Sequence, residues 1–133
     1  MTKIRTFATA LLIAGSSLAM GFAHAQPAGI GRTDILQHEL GRSGQEIIQA
    51  RVDFAPGAVS ANHSHPGVEV AYVLEGTLEY QVEGQAPVTL QAGQALYIPA
   101  GANHLARNVG TVKAAELATY VVAKGKPLIV PAK

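Results

Sequence analysis

The feature that most restricts this chain is its punctuation. From Gln45 onward, glycine or proline recurs at short, regular intervals: "APGA" at 55–58, Pro66-Gly67, Gly76, "GQAP" at 84–87, "AGQ" at 92–94 and "AGAN" at 100–103. Between these stops the side chains alternate with period two. In "EIIQARVDF", Ile48, Ala50, Val52 and Phe54 share one face; in "TLEYQVE", Leu78, Tyr80 and Val82 oppose Glu79, Gln81 and Glu83. Period two means a strand with one face inward. "VEVAYVLE", "VTLQ", "ALYIP", "HLARNV", "AAELATYVVA" and "PLIV" bring the expected total to about eight short strands. In "APGA", Pro56 presets φ and Gly57 accepts φ > 0, which predicts a type II turn. "EGT" at 75–77 reads as a tight reversal.

Short strands with turn signals and no amphipathic helix predict an all-β domain. Closing the sheet removes exposed edges, so the expected form is a small antiparallel β-barrel or jelly roll. Residues 26–45 read as a lead-in, in which "TDILQHEL" forms a short turn or strand.

The first residues belong to a different pattern. Lys3 and Arg5 precede an uncharged run rich in Ala, Leu, Ile and Gly, and Ala23-His24-Ala25 fits a small-x-small cleavage site. This is the layout of a secretory signal peptide over residues 1–25. The apolar run is marginal in length for a membrane span, which needs roughly 20 predominantly apolar residues. Cleavage leaves one domain, residues 26–133. It also removes Lys3 and Arg5, so 10 basic residues become 8 against 9 acidic ones, and the net charge moves from +1 to −1. With no Lys/Arg cluster, neither a nucleic-acid partner nor a membrane surface is expected. No twin arginine precedes the apolar run, so the expectation is export unfolded and folding in the periplasm.

The chain contains no cysteine. It has no thiolate nucleophile, and any metal must be held by nitrogen and oxygen. The five histidines therefore matter. In "NHSHPGVEV" (62–70), His63, His65 and Glu69 are all odd-numbered and share a face if the segment is extended throughout. Two imidazoles and a carboxylate are costly to bury unless something pairs them, and a divalent cation would do so. From the pair alone, two readings stay open: ligands, or hydrogen-bonded and solvated histidines.

Two longer strings extend the pattern. The first runs Gly57, "AVSAN", His63-Ser64-His65, "PGV", Glu69, "VAYVLE", Gly76. The second runs Gly93, "QALYI", Pro99-Ala100-Gly101, "AN", His104, "LAR", Asn108. They resemble the two motifs of the cupin family, in its small single-domain, RmlC-like form, with every fixed position filled. Sixteen residues, 77–92, separate them. The resemblance implies a double-stranded β-helix, with His63, His65, Glu69 and His104 as ligands of one divalent transition metal: zinc, copper, nickel, iron or manganese. It implies turn roles for Gly57, Gly76, Gly93, Pro99 and Gly101, and a structural turn or cap role for Asn108. Small cupins are commonly homodimers, and "VEVAYVL" and "LATYVV" are apolar on both faces.

Three histidines and one carboxylate leave two positions free on an octahedral ion, whereas tetrahedral zinc would be closed and structural. One carboxylate against a +2 ion suits anionic, chelating oxygen ligands. Late first-row ions bind such donors more tightly than manganese or iron, so protein that folds outside the cytosol is expected to carry zinc, copper or nickel. The resemblance therefore implies a metal-dependent, dioxygenase-type oxidoreductase acting on a small chelating substrate. The competing reading is a non-enzymatic module that binds or senses a metal or small ligand. An isomerase or decarboxylase would need an acid–base group beyond the ligands, and none is identified; the catalytic residues are unknown. Tyr72, Tyr80 and Tyr97 are expected to pack in the core or an interface. Arg107, His38, Glu75 and Glu79 are expected at the surface.

Overall fold

Period-two alternation becomes ten strands among residues 27–133, the part of the chain that the computed structural model describes. The expected signal peptide, residues 1–25, lies outside the described residues. The strands are β1 (Ile30–Glu39), β2 (Gln45–Phe54), β3 (His63–Ser64), β4 (Gly67–Glu75), β5 (Thr77–Val82), β6 (Val88–Gln91), β7 (Ala95–Ile98), β8 (His104–Asn108), β9 (Ala114–Ala123) and β10 (Val130–Pro131). No helix occurs among the described residues.

Two five-stranded sheets face each other, in the orders β1-β2-β9-β4-β7 and β10-β3-β8-β5-β6, and every strand pair is antiparallel. The predicted all-β jelly roll is the fold. Two local expectations change. Residues 26–45 are more than a lead-in: the ten-residue β1 pairs along most of β2, with a register shift between Asp34 and Leu36. "EGT" is not a hairpin reversal. At Gly76 the chain leaves β4 in one sheet and enters β5 in the other. The "APGA" turn is as predicted, with the Ala58 amide donating to the Ala55 carbonyl at 3.0 Å and Gly57 at φ 75°.

The inner faces form transverse rows. Val52, Glu116 and Val73 are direct partners across β2, β9 and β4; so are Ala50, Ala118 and Ala71, and so are Ile48, Tyr120 and Glu69. Phe54, Leu78 and Tyr80 are almost wholly buried and belong to one core cluster. Burying each large side chain contributes roughly 1.5–3 kcal/mol. The middle row is all alanine and fully buried.

Gly67 sets how closely two strands approach. A Cβ there would overlap the Val121 carbonyl oxygen of β9 and crowd Val122 Cα. The start of β4, and with it Glu69, is thus pressed onto β9.

Candidate metal centre and cavity

The four motif residues converge from both sheets. His63 on β3 is the direct partner of His104 on β8. Glu69 lies on β4 in the other sheet, between Tyr120 of β9 and Ile98 of β7. His65 sits where the chain crosses from β3 to β4. The common face expected from odd numbering is therefore not one face of one strand. Pro66-Gly67 breaks the strand, and the side chains meet because the two sheets face each other. The second motif braces the first: the Gly101 amide donates to the His65 carbonyl at 3.0 Å.

Each imidazole is fixed through Nδ1 against a backbone carbonyl: His63 to Ala61 at 2.8 Å, His65 to Leu128 at 2.7 Å and His104 to Ala102 at 3.0 Å. A carbonyl only accepts, so in the neutral rings Nδ1 carries the proton and Nε2 presents a lone pair. His65 Nε2 and His104 Nε2 stand 3.0 Å and 3.1 Å from the same oxygen, Glu69 Oε2. Yet His65 Nε2 and Glu69 Oε2 are both buried without a hydrogen-bond partner. Lone pair faces lone pair, an arrangement that calls for a positive charge between them. One ligand atom from each of His63, His65 and His104 lies within 4.8 Å of the others. The donor set suits a divalent transition metal, and the Nδ1–carbonyl contacts are the outer support that orients metal-binding histidines.

The electrostatics agree. Burial pushes His63 down to about 4, which keeps it neutral. Burial alone would raise Glu69, but the adjacent His104 and His65 rings outweigh it and hold the carboxylate ionised, below its ordinary range. Burial also pulls His104 down, and the Glu69 carboxylate beside it more than reverses that. A proton on His104 is thus the competitor of a metal ion at this site.

His63, Glu69 and His104 open onto a cavity of about 340 Å³ between the sheets. Its walls include Ile30, Val52, Phe54 and Ile129, and four polar side chains that the sequence reading gave no site role: Arg32, Tyr80, Glu116 and Tyr120. Glu116 is buried in the β9 row, and the Tyr80 hydroxyl donates to its Oε2. Burial, with Glu69 nearby, pushes its carboxyl up to about 8, so Glu116 is neutral near pH 7. Tyr120 sets its ring against His65, centroids 4.7 Å apart. A signal for Glu116 was present: in "AAELATYVVA" it is the lone charge in an apolar strand and shares parity with Ala114, Ala118, Tyr120 and Val122.

The cupin-domain profile matches residues 50–132. The chain belongs to the cupin family. It is 37% identical over 76 residues to germin-like protein subfamily 2 member 2 of Arabidopsis thaliana, covering 53% of this chain and 35% of that protein. It is 37% identical over 83 residues to germin-like protein 1 of Brassica napus, covering 59% and 40%. This cupin spans only 35–40% of the length of those two relatives. Among solved structures, one of oxalate oxidase superposes with a TM-score of 0.66 at 28% identity, covering 90% of this chain and 63% of that one. An RmlC-like cupin from Shewanella frigidimarina, at 22% identity and a TM-score of 0.60, covers 84% and 95% and shares the fold.

The remaining residues of this cupin divide by face. Tyr80 is core, whereas Tyr72 and Tyr97 lie exposed on the outer face rather than in the interior. Arg107 donates to Glu79 at 2.8 Å at the surface, Arg51 pairs with Glu75, and His38 is exposed. Asn108 is structural. Its amide donates to the Phe54 and Val112 carbonyls at 3.1 Å and 2.8 Å, and its Oδ1 accepts from Gly110 N at 2.9 Å.

Proposed function

We propose that His63, His65, Glu69 and His104 hold one divalent transition metal, and that this cupin is a dioxygenase-type oxidoreductase for a small substrate that chelates through oxygen. The observation that carries the reading is the convergence of His65 Nε2 and His104 Nε2 on one oxygen of buried Glu69, with neither His65 Nε2 nor that oxygen hydrogen-bonded, beside a cavity that Glu69 and His104 line. When bound, the ion would supply Lewis acidity toward chelating oxygens and, if redox-active, electrons for oxygen chemistry. The chain's own residues do the rest. The imidazoles stay oriented through their Nδ1–carbonyl bonds, Glu69 neutralises one of the two charges, and the apolar walls exclude water from the substrate. The likeness to oxalate oxidase supports oxidoreductase chemistry without supplying the substrate. The test is oxygen uptake by iron-, copper- and nickel-loaded protein over catechols, flavonols and diketones. Uptake with at least one pair is expected. A flat response with tight ligand binding would instead favour the non-enzymatic binding or sensing module.

A second reading has its own observation. Glu116, held by Tyr80 in the same cavity, is the acid–base group that an isomerase or decarboxylase needs. Redox-inert zinc-loaded protein that exchanges the acidic C–H protons of a diketone with solvent, and a Glu116→Gln variant that does not, would support it.

Export by a cleaved signal over residues 1–25, with the folded domain 26–133 in the periplasm, belongs to the same proposal. N-terminal sequencing of secreted protein beginning at Gln26 tests it. A homodimer is supported by the outer face of β4 and β7, where Val70, Tyr72, Leu74 and Tyr97 are exposed and Val70 directly partners Tyr97. Sedimentation yielding a monomer would remove it.

A further inference from the structure

The cavity is built for more than a chelating head. An engineered cavity of about 150 Å³ accommodates benzene; this one, at about 340 Å³, has room for a ring with substituents and would be mostly empty around a two-carbon diacid. Ile30, Val52, Phe54 and Ile129 give the occupant apolar walls. Arg32, on β1, is the one Lys or Arg side chain lining the cavity among the described residues. It is the direct partner of Val52, which partners Glu116, so Arg32 and Glu116 share a row two strands, or about 10 Å, apart. Its side chain is 19% exposed. Only Nε is taken, by Asp34 Oδ1 at 2.9 Å, and that carboxylate is 78% exposed and screened by water. No carboxylate other than that of Asp34 pairs with the guanidinium among the described residues, and it lies over the Tyr120 ring, Cζ to centroid 5.7 Å. The same ring also packs against His65, centroids 4.7 Å apart. Tyr120 is thus a shared neighbour of the guanidinium and of the histidine cluster.

We propose that Arg32 is the receptor for a carboxylate on the substrate, so that the site takes a ring-sized, apolar-bodied acid with chelating oxygens at its opposite end. This deepens the metal-site reading and rests on it. The chelating end meets the histidines and Glu69, the body lies along Val52 and Phe54, and the carboxylate takes paired hydrogen bonds from the planar guanidinium. Glu116, neutral in its contact with Tyr80, adds no repelling charge in the row that Arg32 occupies.

The test is calorimetric titration of zinc-loaded protein with catechol and with catechol carboxylates bearing zero, one or two methylenes before the carboxylate, each beside its neutral amide. At least one acid is expected to bind about tenfold or more tightly than its amide. Arg32→Gln should abolish that ratio while leaving the amides and catechol unchanged, and Arg32→Lys should keep part of it. An acid-to-amide ratio near one throughout, or a ratio that survives Arg32→Gln, overturns the inference. Loss of amide binding together with acid binding in Arg32→Gln would assign the residue to the fold and also overturn it. Failure of catechol itself to bind zinc-loaded wild type would strike the metal-site reading instead.

Discussion

Glu69 Oε2 lies 3.1 Å from His104 Nε2, although the two residues stand on β4 and β8 in opposite sheets. Both side chains are buried. A cation held between them would tie the sheets together and so couple metal binding to folding. At free metal about a thousandfold above Kd, binding adds about 4 kcal/mol. Scanning calorimetry should find the metal-loaded protein melting about 10 °C or more above the chelator-treated one. Equal melting temperatures would separate the cluster from stability.

Removing one donor leaves the others facing a weaker site. His104→Ala and His63→Ala should each weaken zinc binding by about a hundredfold or more, measured by competition with a chromophoric chelator. His38→Ala, an exposed histidine outside the cluster, should leave affinity unchanged.

Protons compete for Nε2. Glu69 raises the proton affinity of His104 above that of an ordinary imidazole, so as pH falls His104 would gain a proton and displace the ion. Metal content after dialysis should drop as the pH is lowered. Full occupancy at about pH 4, well below the ordinary histidine value, would count against histidine ligation.

Glu116 has the opposite dependence. Folding raises its carboxyl from 4.5 to about 8, because burial disfavours the charge. A group raised on folding stabilises fully below its unfolded value and loses that contribution as pH rises through the folded one. Metal-free wild type should therefore lose about 2–4 kcal/mol relative to Glu116→Gln between pH 5 and pH 8, read from urea unfolding. Parallel profiles would show that Glu116 is ionised in the folded protein.

Much of this molecule was legible because its instructions are local. The "APGA" turn and the alternation of Leu78, Tyr80 and Val82 depend on neighbours along the chain, and they appear as read. What depends on the other sheet was hidden. Odd numbering grouped His63, His65 and Glu69, but His63 and Glu69 stand on facing sheets and the Pro66-Gly67 break puts them there. Gly67 looked like a turn residue, whereas it is the close approach of β4 to Val121. Arg32 lay in a stretch without clear periodicity, so its place in the cavity awaited the pairing of β1 with β2. Glu116 kept inward parity, yet its partner Tyr80 is 36 residues away.

The most direct measurement is the anomalous difference density of crystals of protein loaded with one equivalent of zinc. A single peak is expected about 2.0–2.2 Å from Nε2 of His63, His65 and His104 and from a Glu69 oxygen. A peak bound elsewhere, or one that reaches His63 and His65 but leaves His104 hydrogen-bonded to Glu69, would contradict the four-residue site.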